Sequence, residues 1–426
     1  MKEIKGLDCK VYHEKLDNGL NVYVVPNNTV NNTYATYTTL YGGRDNEFYI
    51  NDKLVSVPMG IAHFLEHKMF EMKDGSDVFN FFSERGSNCN ANTTGTRTCY
   101  LFSGPNSFYE NLEYLLKYVE EPYFTDKNVE KEKGIIGQEI MMYKDNPYSR
   151  MYDEIMYNTL INHPLKYPTI GTIESVNSIT KENLYDCYNT FYHPSNMFIV
   201  VTGNVDVSKT FDTIKKHEQK RVLEKAPIIR RKEFNEPDKV FKKNVDIKMD
   251  VTIPKAAIAF KINVKNINMK DTDIYTCLLN MVDLKVGPTS LFTEKMKQEG
   301  FITDTFDTSI IKCDDHFIVV IDFETTSDID VVIEKVINEV KDLSVNKKDF
   351  ERRKKVAISG LLFVSDNIYK LNDKIMSDII NRGSINYNPI EDIKNYDIKN
   401  VNEIIKNINM DNYSIKSENI VILKVI

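Results

Sequence analysis

One order of elements occurs twice in this 426-residue chain, and that repetition constrains its fold more than any other feature. From Thr98 to Glu139 the pattern reads strand, loop, helix, short loop, helix. From His316 to Gly360 the same order returns. Residues 317–323 are an apolar strand-like run, 329–345 have helical spacing, and Lys347, Lys348, Asp349, Phe350 and Glu351 open a further helix. Setting Asn128-Val129-Glu130 against Asp349-Phe350-Glu351 puts Arg353 opposite Glu132 and Gly360 opposite Glu139. The strands come with hairpins and long returns, so the expected class is α+β. It consists of two homologous halves, each an antiparallel sheet covered on one side by helices. Residues 216–250, rich in charge and carrying Pro227 and Pro237, read as a linker. That places one domain at 1–215 and a homologous domain at 251–426.

The chemistry concentrates in the first half. His63, Glu66 and His67 form an H-x-x-E-H, with Pro58 and Gly60 where a helix could begin. On a helix, His63 and His67 share one face and offer two imidazoles to a single zinc. Glu66 stands beside them, placed to take a proton from the attacking water in metal-assisted peptide hydrolysis. Ile61, Phe64, Leu65 and Met69 supply packing on the other sides, so the helix reads as buried. A catalytic zinc usually has three protein ligands and an open position. The best source of a third is the segment 129–140, which reads as a helix carrying Glu132 and Glu139 seven apart on one face. On its own this run reads first as a charged surface helix, the usual meaning of such a run. The corresponding helix of the second half, near Tyr275, contains no histidine, so that half keeps the fold without the metal.

H-x-x-E-H followed after 71 residues by the second Glu of an E-x6-E resembles the pitrilysin/insulinase family of zinc peptidases. Asn90-Ala91-Asn92-Thr93, continuing to Thr98 and Tyr100, resembles the family's N-A-x-T…T-x-Y strand. The hairpin signal Asn18-Gly19 and the segment 197–206 extend the likeness over nearly the whole chain. Within the family, 36–41, 60–70, 287–292 and Glu299-Gly300-Phe301 resemble the zinc-bearing bacterial processing proteases. The resemblance implies that His63, His67 and Glu139 bind Zn2+, that Glu66 is the general base and that Glu132 supports the site from behind. It implies that a peptide substrate adds to the edge strand at Asn90 and Ala91, by main-chain pairing that demands little of its sequence. It also implies the fold shared by LuxS and the mitochondrial processing peptidase, with two halves per chain and four around an enclosed chamber.

The family's active chains carry an arginine and a tyrosine, seven apart, in the second half. Aligned on Gly300, Met296 stands where the arginine would be and Thr303 where the tyrosine would be, with Lys297 the nearest cation. The resemblance then implies a zinc-bearing subunit completed by a homologous chain that carries the Arg/Tyr pair. A heterodimer is expected, with a homodimer as the other arrangement and a non-catalytic scaffold subunit as the alternative function. The net charge of −7 argues against a nucleic-acid partner. No stretch reaches eighteen apolar residues and the N-terminal residues lack an apolar run, so no membrane partner is expected. Six cysteines without a C-x-x-C read as free thiols in a reducing compartment, the cytoplasm.

Overall fold

The computed structural model describes residues 1–50, 52–341, 345–408 and 417–426. The chain packs into two units, each assembled from three stretches: 1–140, 168–232 and 358–392 form one, and 141–167, 233–357 and 393–426 form the other.

In the first unit the strands are β1 (Lys2–Ile4), β2 (Cys9–Lys15), β3 (Asn21–Pro26), β4 (Thr33–Thr39), β5 (Glu47–Ile50), β6 (Lys53–Ser56), β7 (Asn88–Thr93), β8 (Thr98–Gly104), β9 (Met197–Gly203) and β10 (Ile229–Arg231). Seven of them form one sheet in the order β1-β2-β3-β9-β4-β8-β7, and β10-β5-β6 form a small second sheet. All neighbours in the large sheet are antiparallel except β3 and β9. The second unit contains β11 (Asn244–Ile247), β12 (Lys255–Asn263), β13 (Asp307–Cys313), β14 (His316–Glu324) and β15 (Ile420–Val425), ordered β11-β15-β12-β14-β13. Here β11 and β15 are the parallel pair. The order β3-β9-β4-β8-β7 is matched strand for strand, parallel pair included, so the duplication legible in the sequence is a duplication of topology. The repeated helices are Phe108–Glu120 and Asp126–Asp145 in one half, Ile329–Lys341 and Lys347–Ser365 in the other. The expected helix at 329–345 includes 342–344, which lie outside the described residues.

Both sheets are buried on two faces, whereas helices on one side alone were expected. Side chains of a strand alternate between faces. In the first unit Val22, Val24, Ala35, Tyr37, Ile199 and Val201 face the main core. Tyr23, Val25, Phe198 and Val200 face the opposite way, against Leu371, Ile375 and Met376 of the helix Ile368–Arg382. That helix is keyed by Asn372, which accepts from Thr36 Oγ1 at 2.9 Å and donates to the Val200 carbonyl at 3.0 Å. In the second unit Ile258, Phe260, Val319 and Ile321 face one core. Ala257, Ala259, Ile318 and Val320 face another, shared with Met151, Ile155 and Met156 of the helix Pro147–Thr159. Each sheet is thus completed by a helix from the other half of the chain.

The segment 216–250 also differs from a plain linker. Its first residues end the helix Val207–Glu218, and it contributes β10 and β11. It carries Glu236, the anchor of a buried ion pair. Lys261 Nζ meets Glu236 Oε1 at 2.5 Å with both side chains fully shielded from solvent. The lysine also donates to the carbonyls of Thr159 (3.2 Å) and Lys239 (3.0 Å). The carboxylate accepts the backbone N–H groups of Ile161, Asn162 and His163 at 2.7–2.8 Å. Such a pair holds its place because every donor and acceptor is met. Glu236→Ala should therefore lower unfolding stability by about 3–5 kcal/mol in urea titration, because it strands Lys261. A change below about 1 kcal/mol, the level of a surface pair, would contradict this account.

Candidate metal centre

The helix Ile61–Lys68 begins abruptly at Gly60, whose φ of 86° is left-handed. A Cβ there would lie 2.4 Å from the Ile170 carbonyl oxygen, so only glycine allows this start. Ile61, Ala62, Phe64 and Leu65 pack into the main core and leave the histidine face turned to the helix Asp126–Asp145. That second helix buries Val129, Glu132, Ile136 and Ile140, which sets Glu132 and Glu139 toward the histidines. The alternative of a merely solvated helix is thereby removed.

The two Nε2 atoms converge on one carboxylate. His63 Nε2 is 3.8 Å from Glu139 Oε1, and His67 Nε2 is 3.5 Å from Glu139 Oε2. Ligand atoms of these three residues lie within 4.8 Å of one another, the one such group of three among the described residues. His67 Nδ1 stands 3.0 Å from Glu132 Oε1. A carboxylate can only accept, so in the neutral imidazole this contact puts the proton on Nδ1 and the lone pair on Nε2. Burial, and then the neighbouring His67, push His63 down to about 3, which keeps it a neutral donor. Burial would lower His67, but the hydrogen bond and charge of Glu132, with Glu139 and Glu66, raise it. Burial raises Glu66, opposed by a hydrogen bond from Thr93.

Glu66 Oε2 accepts that bond from Thr93 Oγ1 at 2.5 Å. Thr93 ends β7, the edge strand, which pairs with β8 alone in its sheet. Alternation puts Ala91 on the same face as Thr93 and turns Asn90 to the other, where its Oδ1 accepts the Ala91 N–H at 2.9 Å. The sequence motif contained Thr93, yet only the fold reveals its contact with Glu66. Lys68 was missed entirely: it follows His67 and is fully buried, with Nζ 3.6 Å from Glu132 Oε2.

Three carboxylates and two imidazoles in one half-buried cluster call for positive charge beyond that of Lys68. Two nitrogen donors and one oxygen donor form a set suited to zinc. The second half offers a contrast. Arg353, the counterpart of Glu132, pairs with Asp283 on the helix Asp271–Val286, so an ion pair ties the helices where the first half has imidazole and carboxylate.

Residues 57–173 match the family model Insulinase (Peptidase family M16), and residues 178–356 match Peptidase M16 inactive domain. The protein named uncharacterized zinc protease YmfH, of Bacillus subtilis, is 44% identical over 309 residues, 71% of this chain and 72% of that one. The chain belongs to the insulinase family, peptidase family M16. It is a zinc metallopeptidase. A protein of Alicyclobacillus acidocaldarius described as an M16-like peptidase superposes with a TM-score of 0.89 at 29% identity, over 98% of both chains. Pitrilysin shares the fold at a TM-score of 0.75 and 16% identity, with all of this chain covering 45% of that one. The periplasmic protease PqqL of Escherichia coli does so at 0.71 and 17%, with all of this chain covering 48% of that one.

Of the two residues set by the alignment on Gly300, Met296 is buried in the apolar core of the second unit. Thr303 donates its backbone N–H to the Glu324 carbonyl at 3.4 Å. No helix among the described residues is long and apolar enough to cross a membrane. Gly60→Ala should lower thermal stability by at least about 1–2 kcal/mol, the penalty of left-handed backbone for a residue with a Cβ. An unchanged melting temperature would show that the start of the histidine helix is not fixed by that carbonyl contact.

Proposed function

We propose that His63, His67 and Glu139 are the zinc ligands of this M16 peptidase and that Glu66 is its general base. The observation that carries the reading is the convergence of both Nε2 atoms on the Glu139 carboxylate. Zinc held there supplies a Lewis acid for the scissile carbonyl and acidifies a water. Glu66 takes the proton of the attacking water and gives it to the leaving amine. Its burial supports both roles, because a carboxylate raised toward neutrality binds and releases a proton more evenly. Thr93 fixes the rotation of that carboxylate. Glu132 holds His67 in the metal-binding tautomer. The substrate pairs with the open side of β7 beside Ala91 and Asn90, which favours short or unfolded peptides over folded proteins.

The chain works as the zinc-bearing subunit of a two-chain processing protease, in a chamber completed by a homologous partner. Two observations support this. The chain spans about half of pitrilysin and of PqqL, at 45% and 48% of their lengths. Met296 and Thr303 offer neither the cation nor the phenol that would steady a developing oxyanion. Its six cysteines are all free thiols, which supports a cytoplasmic setting.

Purified chain should contain about one zinc, lost in His63→Ala/His67→Ala. Glu66→Gln should keep the metal and lose roughly 10²–10⁴-fold in turnover. Near-normal turnover in that variant would move the base elsewhere. Peptidase activity of the chain alone should be feeble and rise roughly 10²–10³-fold with a homologous chain bearing the Arg/Tyr pair, the usual worth of an oxyanion-stabilising group. Robust cleavage by the chain alone, unchanged by the partner, would contradict the two-chain reading.

A further inference from the structure

Lys68 is a fully buried lysine one residue past a metal-ligating histidine, and no surface role accounts for it. Its stem lies at the end of the helix Ile61–Lys68, and its ammonium meets two carboxylates. One is Glu71, three residues on and partly exposed. The other is Glu132, whose Oε2 is 3.6 Å from Nζ. Glu71 alone would suit a lysine at the surface, where neither charge leaves water. Burying an ammonium is costly unless it is matched on all sides. Here the buried charge is set beside the outer oxygen of the carboxylate that orients His67.

The two contacts divide Glu132 between them. Oε1 faces His67 Nδ1 at 3.0 Å, and Oε2 faces Lys68 at 3.6 Å. Glu132 hangs from a different helix, and without a second anchor its carboxylate could rotate about the last side-chain bond. Lys68 sits on the same helix as His67, so it ties the orienting carboxylate to the helix whose ligand it orients. We propose that Lys68 is a positioning residue of the metal centre, holding Glu132 in the orientation that keeps His67 Nε2 directed at the metal. This rests on the reading of His63, His67 and Glu139 as the zinc ligands. Lys68 touches neither metal nor substrate and acts only through Glu132. The second half fits this logic: Arg353 and Asp283 tie the equivalent helices by a direct pair, and no third group is needed where no ligand must be aimed.

The test is zinc affinity of the full-length chain, measured by competition with a chelator for wild type, Lys68→Met, Glu132→Gln and the double variant. Methionine keeps the volume and removes the charge, and replacing a buried ion by an apolar group of similar size commonly preserves the fold. Lys68→Met should bind zinc roughly 10–100-fold more weakly, as loss of an orienting group does. In the Glu132→Gln background it should add little, because its route of action is already gone. Wild-type affinity in Lys68→Met would overturn the proposal. An equal loss in both backgrounds would overturn it too, since that marks a packing effect independent of Glu132. Apo-protein melting curves read out folding separately, and Lys68→Arg, which keeps the cation, should recover zinc affinity that Lys68→Met loses. Zinc retained by His63→Ala/His67→Ala would overturn the ligand assignment itself, and this proposal with it. Zinc lost there but unchanged in Lys68→Met overturns the role of Lys68 alone.

Discussion

The meeting of two helices through His67 holds this protein's chemistry together. One ring nitrogen faces Glu132 and the other faces Glu139, both on the helix Asp126–Asp145. Packing alone would join these helices with Leu and Ile, as elsewhere in the same core. Instead the sequence places imidazoles and carboxylates at the contact, and such groups are stable out of water only when fully matched. Lys68 matches part of the negative charge. A divalent cation held by His63, His67 and Glu139, the ligand set proposed above, would match the remainder. The site is therefore a local conflict in folding terms, one that a metal bound there would resolve.

The duplicated half shows what the same architecture becomes without that requirement. Strand order, the single parallel pair and the helix pair are all kept. Arg353 and Asp283 form a self-sufficient ion pair where the first half has Glu132 and His67. The edge strand β7 is tied to Glu66 through Thr93, so the proposed surface for peptide pairing and the proposed general base are fixed to each other.

Much of this was legible in the sequence because it is periodic. His63 with His67, and Glu132 with Glu139, declare themselves by helical spacing, and β8 with its two helices is repeated in β14 and its two. Family resemblance then chose Glu139 over Glu132 as the ligand, a choice spacing alone left open. What stayed hidden depends on non-local packing. The helices Pro147–Thr159 and Ile368–Arg382 are amphipathic, but a stripe of apolar residues does not say which sheet it covers. β10 and β11 are short and gain their pairing from β5 and β15, far away in sequence, so the segment looked like a charged linker. Lys68 carried no signal in the sequence, because nothing local shows that its ammonium reaches Glu132.

One zinc is proposed to sit where both imidazoles and Glu139 converge. Anomalous diffraction recorded on either side of the zinc edge tests it most directly. One strong peak is expected about 2.0–2.2 Å from His63 Nε2, His67 Nε2 and a Glu139 oxygen, the distances usual for zinc with nitrogen and oxygen ligands. A peak bound through Glu132 in place of Glu139, or no peak in protein that cleaves peptides, would contradict it.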